Sequence, residues 1–173
     1  MSLPTAFCAR MQALLGEEYP DCLESLTGER SRGLCVNPLR IQPADFVARG
    51  VFPLTPVPWC AEGFYYPAFA RPGKHALYEA GVYYIQEPSA MSVGAIADAK
   101  PGEWVLDLCA APGGKTTHLA GRMQGEGILI ANEIHPARAK ILAQSVERAG
   151  IRNAAVTNET PARLAARFPE AFD

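Results

Sequence analysis

The pattern of apolar and polar positions changes character part-way along the chain. The first stretch has a helical period: Phe7, Met11, Leu14 and Leu15 fall on one face of a segment from Pro4 to Leu15, and Pro4 suits a first turn. A second, shorter helix is expected from Pro20 to Leu26, closed by Gly28. Leu34 to Val36 reads as a strand stopped by Asn37-Pro38, and Pro43 to Arg49 as a short helix with Gly50 as its cap. From Val51 to Pro72 the chain is rich in proline and aromatics. Pro53, Pro56 and Pro58 forbid a regular helix there and imply extended segments and turns, with Cys60 in an aromatic turn. Val82 to Ile85 is a strand, and Ser89 is expected to N-cap a helix that runs to Ala97.

From there strands and helices alternate. Trp104 to Leu108 is a strand, Thr116 to Met123 a helix and Ile128 to Asn132 a strand. Pro136 to Ala149 follows as a helix with proline in its first turn and Gly150 past its end. Ala154 to Thr157 is a third strand and Pro161 to Arg167 a last helix. Strands alternating with helices at this spacing call for a parallel sheet. The expected fold class is therefore α/β, an open parallel sheet over residues 89–173, preceded by a small α+β domain over 1–88.

Chemistry concentrates where the first parallel strand ends, in Asp107-Leu108-Cys109-Ala110-Ala111-Pro112-Gly113-Gly114-Lys115-Thr116-Thr117. An apolar strand ends in an acid, a tight Pro-Gly-Gly loop follows, and a helix opens at Lys115 or Thr116. Glycines let backbone approach a ligand closely, and the first helical N–H groups point at it. Open α/β sheets hold nucleotide-like cofactors in this way. A P-loop requires a glycine where this chain has Cys109, and Pro112 stiffens the loop, so only the Gly114-Lys115-Thr116 half matches. The spacing Gly-x-Gly-x-x-Gly of dinucleotide sites is absent as well. The next strand ends in Glu133, twenty residues beyond Gly113, where an acid is placed to accept hydrogen bonds from a ribose diol. S-adenosylmethionine offers that diol together with an amino-acid end for the loop. The alternative for Glu133 is a solvated acid before a helix N-cap. Asp107 either faces the ligand's amino or sulfonium end or orients the loop backbone.

The runs DLCAAPGGKTTHLA and ANEIHPARAKILAQSVERAGIRNAAVTN, with the upstream stretches Arg32 to Arg40 and Ala80 to Ala90, closely resemble the Sun / RsmB–RsmF family of RNA cytosine-5 methyltransferases. The resemblance covers nearly the whole chain, and its Cys-Ala-Ala-Pro-Gly-Gly-Lys-Thr loop is its most specific part. It implies a Rossmann-like class I methyltransferase sheet and a role in S-adenosylmethionine binding for Cys109, Ala110, Ala111, Pro112, Gly113, Gly114, Lys115 and Glu133. It implies RNA, and within RNA rRNA, as partner. Two departures stand out. The family's acid after the third strand falls at Thr160, with Asn158 and Glu159 beside it. The family's two working cysteines, in Pro-Cys and Thr-Cys motifs, belong to sequence beyond Asp173, so the expectation is an N-terminal part with no catalytic residue of its own, unable to methylate RNA alone. None of Cys8, Cys22, Cys35, Cys60 and Cys109 is expected to be the nucleophile. A fourth strand should pair beside the first, whose bare edge would invite self-association.

Composition narrows the rest. With 173 residues, 49% hydrophobic and 20% charged, the chain is a folded protein of one medium or two small domains. No apolar stretch reaches membrane-spanning length, and Met1-Ser2-Leu3-Pro4 does not open a signal peptide. Five cysteines without a Cys-x-x-Cys pair or a histidine cluster argue against a disulfide framework or a metal site, and for a reducing cytoplasm. The net charge of −2 does not advertise RNA binding. Locally, however, Arg30, Arg32, Arg40, Arg49, Arg71 and Lys74 outnumber Asp45 and Glu62. The aromatics Phe46, Phe52, Trp59, Phe64, Tyr65, Tyr66 and Phe69 are interleaved with them, a composition that can hold phosphates and stack bases. Two other readings stand beside the methyltransferase: a non-catalytic RNA- or cofactor-binding module, and a P-loop-like nucleotide hydrolase that would need Lys115 on phosphates.

Overall fold

The computed structural model describes residues 3–173. Met1 and Ser2, where the leader was sought, lie outside the described residues. The chain forms two compact units that divide after Ser31. The first holds two helices, α1 (Thr5–Leu15) and α2 (Tyr19–Thr27), joined by a 3-10 turn over Gly16–Glu18. Gly16 ends α1 at a positive φ of 54°, and Pro20 sits in the first turn of α2, where its missing N–H has no partner to lose.

The second unit, residues 32–173, contains two sheets. The antiparallel one is built from β1 (Gly33–Val36), β2 (Thr55–Val57), β3 (Cys60–Tyr65) and β4 (Tyr83–Ile85) in the order β2-β3-β1-β4. Leu34 of the central strand β1 lies opposite Phe64 on one side and Ile85 on the other. All four β1 residues are buried because both faces are covered. Alternation sends Leu34 and Val36 into a core with Phe46, Phe64 and Tyr83, and Cys35 the other way, to Val57, Cys60 and Met91. Phe46 comes from α3 (Pro43–Ala48), Met91 from α5 (Pro88–Ala97), and the short α4 (Ala76–Glu79) precedes β4.

Two expectations are corrected here. The extended segments and turn expected of the proline-rich stretch form a β-hairpin, but Cys60 does not sit in its turn: it opens β3, 3% exposed. Pro56 is tolerated because β2 is the sheet edge, where a strand can spare a donor. The N-cap of α5 is Glu87 rather than Ser89: Pro88 takes the first helical position and the Glu87 carboxylate accepts from the Ala90 N–H at 3.2 Å. A carboxylate at a helix N-terminus also complements the helix dipole.

The parallel sheet follows the expected alternation: β5 (Trp104–Asp107), α6 (Gly114–Arg122), β6 (Ile128–Asn132), α7 (Pro136–Ala149), β7 (Ala154–Thr157) and α8 (Pro161–Arg167). Its order is β5-β6-β7, with Asp107 opposite Ala131 and Ala131 opposite Val156. The central strand is buried from Leu129 to Asn132 and packs with Leu119, Ala120, Met123, Leu142 and Val146 of the helices and their ends. On the outer edge of β5, the Asp173 N–H donates to Trp104 O at 3.0 Å and the Trp104 N–H to Asp173 Oδ2 at 2.8 Å.

Asn37 joins the two sheets. It is 1% exposed, and its amide donates to Gly81 O before β4 and to Ala149 O at the end of α7, both at 2.9 Å. Its Oδ1 accepts from the Leu39 N–H at 3.1 Å. Asn37→Ala leaves these buried groups unpaired and is expected to cost about 2–4 kcal/mol of folding stability. Denaturant unfolding of the variant beside the parent checks this, and a change below about 0.5 kcal/mol would show that water replaces the amide without loss.

Candidate cofactor site

The site begins with the way β5 and β6 end. The Ala110 N–H donates to Asn132 O at 2.8 Å, and the Asn132 side-chain amide donates to Leu108 O at 3.2 Å and Glu159 O at 3.0 Å. Its Oδ1 accepts from Thr157 Oγ1 at 2.9 Å and the Glu159 N–H at 3.0 Å. One buried amide thus uses both donors and both lone pairs to tie together the carboxyl ends of all three parallel strands.

The loop between β5 and α6 is shaped by two glycines for different reasons. Gly113 has φ +117°, which other residues rarely adopt, and a Cβ there would stand 2.8 Å from the Ser145 Cβ in α7. Gly114 opens α6, and its Cβ would stand 2.9 Å from the Tyr84 ring. The two threonines behind them are structural. Thr116 Oγ1 donates to Asp107 Oδ2 at 2.7 Å, and Thr117 Oγ1 to Gly113 O at 2.8 Å. Asp107 thereby fixes the start of α6 with one carboxylate oxygen.

Glu133 is 3% exposed. Its Oε1 accepts from the His135 N–H at 2.9 Å and its Oε2 pairs with Arg138 Nη1 at 2.9 Å. Arg138 Nη2 donates onward to Ala111 O at 2.8 Å, so a single guanidinium spans the acid and the loop. After β7, Asn158 donates to Glu133 O and Ile134 O at 2.7 and 2.9 Å, Glu159 pairs with Arg163 at 3.1 Å, and Thr160 caps α8. A cavity of about 240 Å³ lies between the loop and the β4–α5 segment, lined by Tyr84, Gln86, Ala110, Pro112, Gly114 and Lys115 among others. Gln86 Oε1 is buried and without a hydrogen-bond partner among the described residues. Cys109 and Lys115 are exposed.

One turn along α6, His118 faces the antiparallel sheet. Its Nε2 lies 3.7 Å from Cys60 Sγ and 3.3 Å from Glu62 Oε2. Contact with Cys35, then with His118, holds the Cys60 thiol down to about 5, against its burial. Cys35 moves the opposite way, well above the usual thiol value, through the same contact with Cys60 and its own burial. The His118 bond holds Glu62 at about 2. Burial disfavours charge on His118, but Cys60 and Glu62 outweigh it and raise the imidazole to about 9.

This architecture and loop have known relatives. Residues 3–88 match the family described as the N-terminal domain of 16S rRNA methyltransferase RsmF, and residues 95–173 match 16S rRNA methyltransferase RsmB/F. The chain belongs to the RsmB/F family. Ribosomal RNA small subunit methyltransferase F of Escherichia coli O17:K52:H18 is 39% identical over 181 residues, covering 98% of this chain and 38% of the relative. That of Vibrio cholerae serotype O1 is 38% identical over 183 residues, covering 100% of the chain and 39% of the relative. The chain therefore spans less than two fifths of the length of these RsmB/F proteins. A methyltransferase homologue from Pyrococcus horikoshii superposes with a TM-score of 0.85 at 30% identity, over 96% of this chain and 56% of that one. NSun6 from the same organism, solved with SFG, has the same fold at a TM-score of 0.82 and 16% identity, over 94% of this chain and 67% of that one. The α/β sheet is that of class I methyltransferases, as the Pyrococcus homologue shows.

The structure brings Asp107, the loop from Cys109 to Lys115 and Glu133 to one end of the sheet. Sequence reading missed Asn132 and Arg138, which reach groups 24 to 27 residues away, and Gln86, and it did not group Cys35, Cys60, Glu62 and His118. Asn132→Ala is expected to lower stability by roughly 2–4 kcal/mol by orphaning the four partly buried groups it pairs with. Amide exchange at Glu159 should accelerate with it, since that N–H loses its acceptor. Unchanged exchange at Glu159 would show that the strand ends hold without the side chain.

Proposed function

We propose that this chain holds S-adenosylmethionine at the carboxyl end of its parallel sheet and serves the methylation of cytosine carbon 5 in small-subunit rRNA. One observation carries the cofactor reading above the others. Gln86, whose buried Oε1 has no partner among the described residues, is one of the residues that line a cavity shared with Gly114 and Pro112. A buried carbonyl oxygen left unpaired costs free energy unless a ligand donor meets it, and the amino group of S-adenosylmethionine is such a donor. The glycine turn supports the same reading, because a Cβ at either glycine would displace a neighbouring side chain.

Residue roles follow. The loop from Cys109 to Lys115 surrounds the amino-acid end, with the N–H groups of α6 aimed at its carboxylate. Glu133 takes the ribose hydroxyls. Two of its roughly four lone-pair directions are used by His135 and Arg138, which leaves acceptor capacity and holds the carboxylate in place. Asp107 positions rather than contacts, through Thr116. When bound, the cofactor supplies an electrophilic methyl group on its sulfonium. Catalytic cysteines are assigned to no residue of this chain.

The RNA part of the proposal draws on the names of the relatives and on the surface. Arg40, Arg49, Arg71 and Lys74 are exposed, as are Trp59 and Phe69, at 46% and 74%. Phe46 and Phe64 belong to the core, so only part of the aromatic series is available for stacking. Among the described residues no helix is long and apolar enough to cross a membrane.

Calorimetric titration with S-adenosylhomocysteine, beside ATP with Mg²⁺, tests the reading. Binding of the first alone is expected; binding of ATP alone would replace it with the hydrolase. Glu133→Ala should weaken S-adenosylhomocysteine binding by about 1.5–3 kcal/mol, the worth of hydrogen bonds to a charged acceptor. Gln86→Leu should weaken it by about 1–2 kcal/mol, because it removes the unpaired acceptor, and should lower Tm only slightly, because the one bond it breaks, from Nε2 to Ala90 O, is long at 3.4 Å. A Gln86→Leu protein that melts early yet binds normally would mean that the side chain is structural.

A further inference from the structure

We propose that Cys35, Cys60, His118 and Glu62 form a tetrahedral site for a zinc ion, set between the antiparallel sheet and α6. Cys35 comes from β1, Cys60 and Glu62 from β3, and His118 from the middle of α6. The ligand atoms of Cys35, Cys60 and His118 all lie within 4.8 Å of one another, and all three residues are buried. Glu62 lies beside two of them: Cys60 Sγ to Glu62 Oε2 is 3.6 Å and His118 Nε2 to Glu62 Oε2 3.3 Å, with Cys60 Sγ to His118 Nε2 at 3.7 Å. A tetrahedron with zinc–sulfur bonds of about 2.3 Å and zinc–nitrogen and zinc–oxygen bonds of about 2.0–2.2 Å has edges of roughly 3.3–3.8 Å. The three edges among Cys60, His118 and Glu62 already stand at these lengths, and the Cys35 thiol, within 4.8 Å of Cys60 and His118, closes on the ion from β1.

The donor set favours this ion. Two thiolates, an imidazole and a carboxylate are the ligands of structural zinc, whereas magnesium and calcium take oxygen. Two thiolates and a carboxylate bring three negative charges; zinc offsets two, and Arg122, 3.4 Å from Glu62 Oε1, offsets the third. Arg122 is itself paired with Asp98, so the guanidinium is held against Glu62. On binding, the protons shared among the two thiols and the His118 Nε2 leave to solvent, and His118 coordinates through Nε2 with its remaining proton on Nδ1. Gly94 of α5 makes room for the ring: a Cβ there would stand 2.2 Å from His118 Nδ1. Glu62 and Arg122 line a cavity of about 750 Å³ that gives an ion a way in. The spacing of the ligands in sequence hides the site, because no two of the cysteines and His118 share a segment.

Cobalt(II) tests this on the reduced full chain, because tetrahedral thiolate sites give it a near-ultraviolet charge-transfer band and intense visible d–d bands. One cobalt per chain with both features, displaced by one equivalent of zinc, is expected, together with a rise in Tm on adding zinc that a chelator reverses. The C8S/C22S/C109S variant should keep the bands, and Cys35→Ser and His118→Asn should each lose most of the charge-transfer intensity. Absence of the bands at saturating cobalt, their loss in the C8S/C22S/C109S variant, or a Cys35–Cys60 disulfide formed in the presence of zinc would overturn the site. If the ligand variants fail to fold, the parent and the C8S/C22S/C109S variant decide between these results. The readout does not depend on S-adenosylmethionine binding.

Discussion

The cofactor end of this protein depends on the amide of Asn132. Three parallel strands finish side by side, and their last carbonyl and N–H groups have no ladder left to satisfy them. Asn132, 1% exposed, meets three of them, donating to the Leu108 and Glu159 carbonyls and accepting from the Glu159 N–H, and it accepts from the Thr157 hydroxyl as well. An aliphatic residue could pair with none of these groups, and an aspartate would set its charge against the Leu108 and Glu159 carbonyls. With those groups fixed, the chain leaves β5 and β7 in defined directions and Glu133 emerges next to the loop. Arg138 then closes the figure by reaching both Glu133 and Ala111. The site is held by buried polar contacts of which nearly all are satisfied, an arrangement that fixes geometry because a half-made network is costly.

Legibility in the sequence followed the range of the forces involved. Ile128–Asn132, Pro136–Ala149, Ala154–Thr157 and Pro161–Arg167 stand where periodicity and Pro/Gly punctuation put them, because those signals act within a few residues. The glycine loop was legible for the same reason: Gly113 needs its backbone conformation and Gly114 its missing side chain. The hairpin from Thr55 to Tyr65 was legible only as extended segments and turns, because its prolines exclude a helix locally while the edge position that tolerates Pro56 is a property of the whole sheet. Ser89 looked like an N-cap by residue type, but Pro88 at the first helical position moved the cap to Glu87. Arg138 was not legible as a site residue because its tie to the loop runs to Ala111, 27 residues away, and Gln86 because the cavity it lines is built from segments distant in sequence.

Helix α6 links the parts of the second unit. Its first residues belong to the loop, with Gly114 against Tyr84 and Thr116 on Asp107. A turn later His118 reaches β3, and at the helix end Arg122 pairs with Glu62 of the same strand. Asn37 adds a second tie, from the end of β1 to the end of α7. The antiparallel sheet, whose β4 supplies Tyr84 and leads into Gln86, is therefore registered against the loop by contacts on two helices. A shift of α6 would open or close the cavity between Gln86 and Gly114, so the contacts of His118 and Arg122 bear on the cofactor end from a distance.

That consideration bears on why a charged group is buried at this place at all. A thiol, an imidazole and a carboxylate taken out of water bring a desolvation cost that their mutual attraction rarely exceeds, and apolar side chains of similar volume usually pack there with equal or greater stability. Cys35, Val57 and Met91 show that the surroundings are apolar enough for such packing. Polar ligands in an apolar pocket are the arrangement in which an ion binds strongly and fixes direction, because each ligand has one geometry that serves it. A bound ion at Cys60 and His118 would set the distance between β3 and α6 more firmly than dispersion contacts can, and with it the position of the helix that opens at Gly114.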